Sequence, residues 1–206
     1  MTAGAIDKQK GYEPDLEGKV RTLAAIEDLE NSAITDLIIA GGMRFHNQSL
    51  GEIYRNYAVR FTSKVTQVSF VEGGIETGSD LRQALYSQKG DKKSANDQIV
   101  VYSSGFHGQR AREICRREGI DVVTVAAEEK ILQRWNKVKT SLLGKWFGID
   151  YYSLVDMIFN REFIQRMQYR ERIVRSVLRL DDVPIVGAHL KLGSRLIEFL
   201  AKGLRA

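Results

Sequence analysis

Ser103-Ser104-Gly105-Phe106-His107-Gly108-Gln109-Arg110-Ala111 is the stretch of this chain best equipped for chemistry. It follows a short apolar run, Ile99 to Tyr102, and leads into residues with helical spacing. A helix N-terminus presents unpaired N–H groups and partial positive charge, so it favours anions. The small residues Ser103, Ser104 and Gly105 let a ligand approach the backbone. Arg110 can grip a phosphate or carboxylate with two parallel hydrogen bonds. His107, three residues earlier on the same face, can donate to that anion or exchange a proton near neutral pH. The competing reading is that both residues simply cap and solvate the helix.

Two other turns carry candidate ligand groups. Gly41 and Gly42 end the apolar run Asp36–Ala40, and Arg44 follows them. Such a turn either joins two elements or lets a ligand reach the backbone. Glu72, ahead of Gly73-Gly74, ends the run Val65–Val71. Its carboxylate can bond a ribose hydroxyl, act as a general base, or cap the next helix. Thr77 and Asp80 fit a helix cap and first-turn acid as well as a ligand site. Glu52, three residues after Ser49, has capping-box spacing; capping or a pair with Arg55 is the favoured reading, and a ligand contact is the alternative.

The elements that must position these groups alternate. Apolar strands are expected at 36–40, 65–71, 98–102 and 120–125. Helices are expected at 13–31, 49–61, 77–87 and from the motif to Glu118, where Gly119 stops the helix. Pro14 suits the first turn of the first helix. Residues 89–97 read as a polar loop. Strands that are apolar throughout, spaced by helices, predict a parallel sheet covered on both faces. Ligands bind such sheets beyond the carboxyl ends of the strands, where all three turns fall. From residue 128 onward the strands stop, and helices are expected at 128–144, 151–180 and 186–204.

Composition supports a globular chain: 43% of residues are hydrophobic and 28% charged. No apolar run approaches the ~20 residues a membrane span needs. Met1–Lys10 lacks the apolar core of a secretory signal, so a cytoplasmic location is expected. The single cysteine, Cys115, excludes an internal disulfide and sits on an apolar stripe, as a core residue would. His46, His107 and His189 lack metal-ligand spacing, so no metal site is expected. The G-x-S-x-G elbow is absent, which argues against a serine nucleophile.

The net charge of +5 is uneven: residues 1–129 hold 16 basic and 19 acidic side chains, residues 130–206 hold 15 and 7. The expected division is therefore a domain at 1–129 and a basic helical extension at 130–206. The extension interleaves Tyr151, Tyr152, Phe159, Phe163 and Met167 with Arg166, Arg170, Arg172, Arg175 and Arg179. Three roles fit it: packing on the domain or on a second copy, lying on an anionic membrane surface, or binding nucleic acid. Nucleic acid is the least favoured, because the aromatics read as core.

The order of the motifs resembles the ElyC/SanA/YdcF-like family of bacterial domains. Ala40-Gly41-Gly42 matches that family's early glycine turn. Glu72 ahead of Thr77-Gly78-Ser79-Asp80 matches its Glu and Thr-x-x-Asn, with Asp for Asn. Ser103 to Ala111 matches its Thr-Ser-x-x-His-x-x-Arg-Ala, and Glu52 also has a counterpart. The likeness covers roughly residues 13–127. It implies a Rossmann-like sheet, a link to bacterial envelope biogenesis and a nucleotide-type ligand, with S-adenosylmethionine a candidate. Family members begin with an apolar strand ahead of the first helix, where this chain has only Thr2–Ile6. That strand is expected to be either truncated or reduced to a short remnant.

Overall fold

The computed structural model describes residues 6–7, 12–45, 47–73, 77–89, 98–135, 155 and 159–181. The expected loop at 90–97, most of the segment 136–158 and the expected helix at 186–204 lie outside them. The chain divides into two compact units, Met1–Asn160 and Arg161–Ala206.

The first unit is mixed α/β. Strand β1 (Ile6–Asp7) pairs antiparallel with β2 (Glu13–Pro14). Pro14 therefore lies in a strand and not in the first turn of the helix. Helix α1 (Leu16–Glu30) instead starts behind Asp15, whose carboxylate accepts from the Gly18 N–H at 2.8 Å. Strand β3 (Leu37–Ala40) leads into a hairpin, β4 (Arg44–Phe45) with β5 (Gln48–Ser49). Helix α2 (Leu50–Ala58) follows, capped as expected by the Ser49 hydroxyl on the Glu52 N–H, 3.2 Å.

Strand β6 (Val68–Val71) starts three residues later than its apolar pattern suggests, after a 3-10 turn at Val65–Gln67. Lys64 explains the delay. Its ammonium reaches the Leu29 carbonyl at 2.5 Å and the Ser32 hydroxyl at 2.9 Å, closing the open end of α1. Helix α3 (Thr77–Lys89), strand β7 (Ile99–Ser103), helix α4 (Gly105–Arg117) and strand β8 (Val122–Ala126) complete the alternation. Gly119, at φ +71°, ends α4 as expected, and the Ile120 N–H returns to the Cys115 carbonyl at 3.0 Å.

The parallel strands form two pairs. β3 runs beside β6, with Leu37 opposite Val68 and Ala40 opposite Val71. β7 runs beside β8, with Ile99 opposite Val122 and Ser103 opposite Ala126. Among the described residues no ladder joins one pair to the other. Helix α1 packs against both β3 and β7, and also against α2 and α5 (Ala127–Trp135). Helix α3 packs on β3, β6 and α4. The core runs through Ile39, Tyr54, Leu29 and Ile131, each at most 1% exposed. Cys115 packs in a cluster with Leu81, Val101 and Val122, and burial pushes its thiol pKa up, so it behaves as an apolar group.

Helix α5 begins where the basic extension was expected to start, yet it is fastened to α1. Arg134 pairs with Glu27 at 2.7 Å and Lys130 pairs with Asp28. The second unit holds α6 (Arg161–Asp181), inside the helix expected at 151–180. Arg161, Arg166, Tyr169 and Arg172 are exposed on it, whereas Met167 is half-buried and Glu171 buried. Among the described residues no helix is long and apolar enough to cross a membrane.

Candidate functional site

The carboxyl end of β7 meets the start of α4 and one flank of α1. Ser103 closes the strand and is buried. Ser104 is the N-cap residue of α4, with extended backbone (φ −74°, ψ 149°), but its hydroxyl makes no capping bond. It is turned toward α1. There it accepts from the Arg21 guanidinium, Nε at 3.2 Å and Nη2 at 3.1 Å, and donates to Glu17 Oε1 at 2.5 Å. Arg21 also pairs directly with Glu17. The guanidinium is 5% exposed, and Ser104 is 1% exposed.

His107 joins this group from the first turn of α4. Its Nε2 is 3.6 Å from Glu17 Oε1, an ion-pair distance, and its Nδ1 is 3.4 Å from Arg110 Nη2. A guanidinium has no acceptor, so Nδ1 takes the accepting role and Nε2 carries the proton toward Glu17. Phe106 packs edge-on to the imidazole, ring centres 4.5 Å apart. Ser104 and His107 thus meet at one Glu17 oxygen and Arg110 lies against His107, whereas Ser103 is buried at the strand end.

The helix N-terminus itself already holds a carboxylate. The Gly105 N–H donates to Glu128 Oε1 at 2.6 Å, and Glu128 is 8% exposed. Its other oxygen, Oε2, is buried and has no hydrogen-bond partner. Burial raises the Glu128 pKa above the usual carboxylate range, against the opposing pull of the Gly105 N–H and Arg21. A raised pKa means the folded state holds the proton more tightly than the unfolded chain. The stability this contributes is complete below the ordinary glutamate value and is lost as pH rises through the raised one. Glu128→Gln, neutral at every pH, is therefore expected to match the parent in acid and exceed its stability at pH 7. Urea melts of both proteins across that range check this; a variant less stable at pH 7 would mean that the charged form is the favoured one.

The remaining candidates gather at the ends of β3 and β6. Gly41 is buried; its N–H donates to the Val71 carbonyl at 3.3 Å and its carbonyl accepts from Gly51 at 2.9 Å. Gly42 is half-buried. Arg44 and Glu72 form an exposed two-point pair, Nε to Oε1 at 2.5 Å and Nη2 to Oε2 at 2.9 Å. Hydrogen bonding to Arg44 holds the Glu72 carboxyl below its usual range. Glu72 is thus an ionised partner of Arg44, a poor starting state for a general acid. Glu52 accepts from the Gln48 amide at 3.4 Å, and Arg55 donates to the Val68 carbonyl at 3.2 Å. Thr77 opens α3. Asp80, in its first turn, is buried against Gly73, where a Cβ would fall 2.0 Å from Oδ1. His46 lies outside the described residues. Among the described residues no cluster of His, Cys, Asp or Glu could hold a metal ion.

Glu17, Arg21 and Glu128 were not among the expected site residues. Glu17 and Arg21 carried one signal, opposite charges four residues apart on a helix, a spacing common on solvated faces. Glu128 carried none. Comparison with protein families, with curated proteins and with solved structures finds no match for this chain.

Proposed function

We propose that the first unit binds a small anionic or nucleotide-type ligand at the carboxyl end of β7, between α4 and α1. The observation that carries this reading is the buried Arg21, which meets Ser104 and shares the Glu17 carboxylate with His107, itself 3.4 Å from Arg110. Cations and hydroxyls buried at a strand end suit phosphate or carboxylate recognition. In this reading the two parallel pairs are halves of one Rossmann-like sheet. The motif resemblance to the ElyC/SanA/YdcF-like family supports it and adds a role in bacterial envelope metabolism. The substrate class is a phosphorylated or nucleotide-activated compound or S-adenosylmethionine, and the reaction transfer or hydrolysis. Arg110 positions the anion, and His107 is the acid–base group.

The test is thermal unfolding with S-adenosylmethionine, nucleotides, nucleotide sugars and simple phosphates, on the parent and on Arg110→Ala. A ligand at 100 times its Kd adds about 2.7 kcal/mol. That moves Tm by roughly 5–10 °C for a chain of this size. A shift that disappears in Arg110→Ala supports the reading; shifts of equal size in both proteins place the ligand elsewhere.

The exposed arginines of α6 favour a second reading, in which the unit senses its ligand without turnover and the basic helix engages an anionic membrane or a protein partner. Turnover of a bound ligand, abolished by His107→Ala while binding persists, would decide for the enzyme.

A further inference from the structure

Two donors converge on one oxygen, and a third polar group faces it. Glu17 Oε1 accepts from the Ser104 hydroxyl at 2.5 Å, pairs with the Arg21 guanidinium, and faces His107 Nε2 at 3.6 Å. The groups come from α1, which carries Arg21, and from the N-cap and first turn of α4, which carry Ser104 and His107, so two elements far apart in sequence fix them. Arg21 and Ser104 lie deep, 5% and 1% exposed, whereas the Glu17 side chain is 19% exposed and the His107 side chain 14%. The acceptor is therefore the outer layer of the cluster. It can rotate toward water, while the donors beneath it cannot follow.

We propose that Arg21, Ser104 and His107 form an oxyanion subsite for a phosphate-type group, and that Glu17 is the internal anion that fills it when no ligand is bound. This deepens the ligand-binding reading above and rests on it for the identity of the natural ligand. A buried guanidinium needs a counter-charge, and its planar fork fits carboxylate and phosphate oxygens alike. The Glu17 carboxylate and a ligand phosphate would thus compete for the same donors. The α4 N-terminus is not part of the subsite, since Glu128 holds the Gly105 N–H. Ser104 serves here as a donor, its hydroxyl proton directed at the oxygen that Glu17 now supplies.

The experiment is titration of the full chain with inorganic phosphate at constant ionic strength. Glu17→Gln keeps the shape and removes the competing charge. It is expected to bind phosphate about tenfold more tightly than the parent, since charge-assisted bonds exchange on that scale. Glu113→Gln, which removes the same charge from the Arg117 pair of α4, is expected to bind as the parent does. Adding Ser104→Ala to Glu17→Gln is expected to cancel most of the gain. Glu17→Asp keeps the charge but withdraws it by one methylene, so an intermediate gain is expected. Glu17→Gln and Glu17→Asp binding no tighter than the parent would overturn the proposal, as would an equal gain in Glu113→Gln. The two readings fail separately. A gain in Glu17→Gln without any panel ligand shifting the parent leaves the subsite standing and removes the proposed ligand class. A panel ligand lost in Arg110→Ala, with no gain in Glu17→Gln, does the reverse.

Discussion

Arg21→Ala is expected to lower the unfolding free energy by about 3 kcal/mol, the scale seen when one member of a buried ion pair is removed. Arg21 is buried, and its guanidinium touches both the carboxylate and the hydroxyl that it organises. Its loss leaves Ser104 and Glu128 inside without the nearby positive charge. Glu17 is partly exposed and can turn to water, which keeps the cost at the lower end of the range for buried pairs. About 3 kcal/mol corresponds to a fall in Tm of roughly 6–12 °C for a chain of this size. Arg21→Lys should recover little, because one ammonium cannot give two N–H groups to Ser104 and also reach Glu17. Urea unfolding of the three proteins measures this. A change below about 0.5 kcal/mol would mean that the network adds nothing to stability, as many ion pairs do not.

Gly18→Ala is expected to destabilise the first unit by about 1–3 kcal/mol, although alanine is the better helix former by roughly 1 kcal/mol. A Cβ on Gly18 would fall 2.0 Å from the Tyr54 hydroxyl and 2.6 Å from its ring carbon Cζ. Tyr54 is fully buried on α2, so it has no room to withdraw. The glycine is the notch that lets α1 and α2 approach. Tyr54→Phe, placed on Gly18→Ala, removes the nearest atom and should restore part of the loss. The double-mutant cycle reads the coupling directly. Stabilisation by Gly18→Ala would mean that the two helices do not meet as closely as described.

Local order was plain in the chain because its causes are local. Ser49 caps α2, and Gly119 stops α4 with a left-handed residue. The apolar runs at 37–40 and 99–103 became parallel strands because each is covered by helices and alternates no polar face. The errors were also local competitions that lost to distant partners. Pro14 was drawn into a strand opposite Ile6, and Val65–Gln67 form a 3-10 turn ahead of β6, next to Lys64, which is bound to the end of α1 more than thirty residues away.

What the sequence by itself determined was the main alternation in residues 13–127, helices α1 to α4 and strands β3, β6, β7 and β8 to within a few residues, and the turn that brings Ser104, His107 and Arg110 together; the short strands β2, β4 and β5 depend on their pairing and were not legible in it. Periodicity, capping and glycine turns act over three or four residues, so neighbours suffice to reveal them. Only the tertiary structure decided that Arg21 lies against Ser104, 83 residues away, that Glu17 faces the same hydroxyl, and that Glu128 closes the α4 N-terminus. Those contacts depend on how α1 and α5 pack beside β7 and β8. Within its own helix Arg21 reads as one half of an ordinary i, i+4 pair; burial and convergence make it the centre of a site, and both are properties of the packed chain.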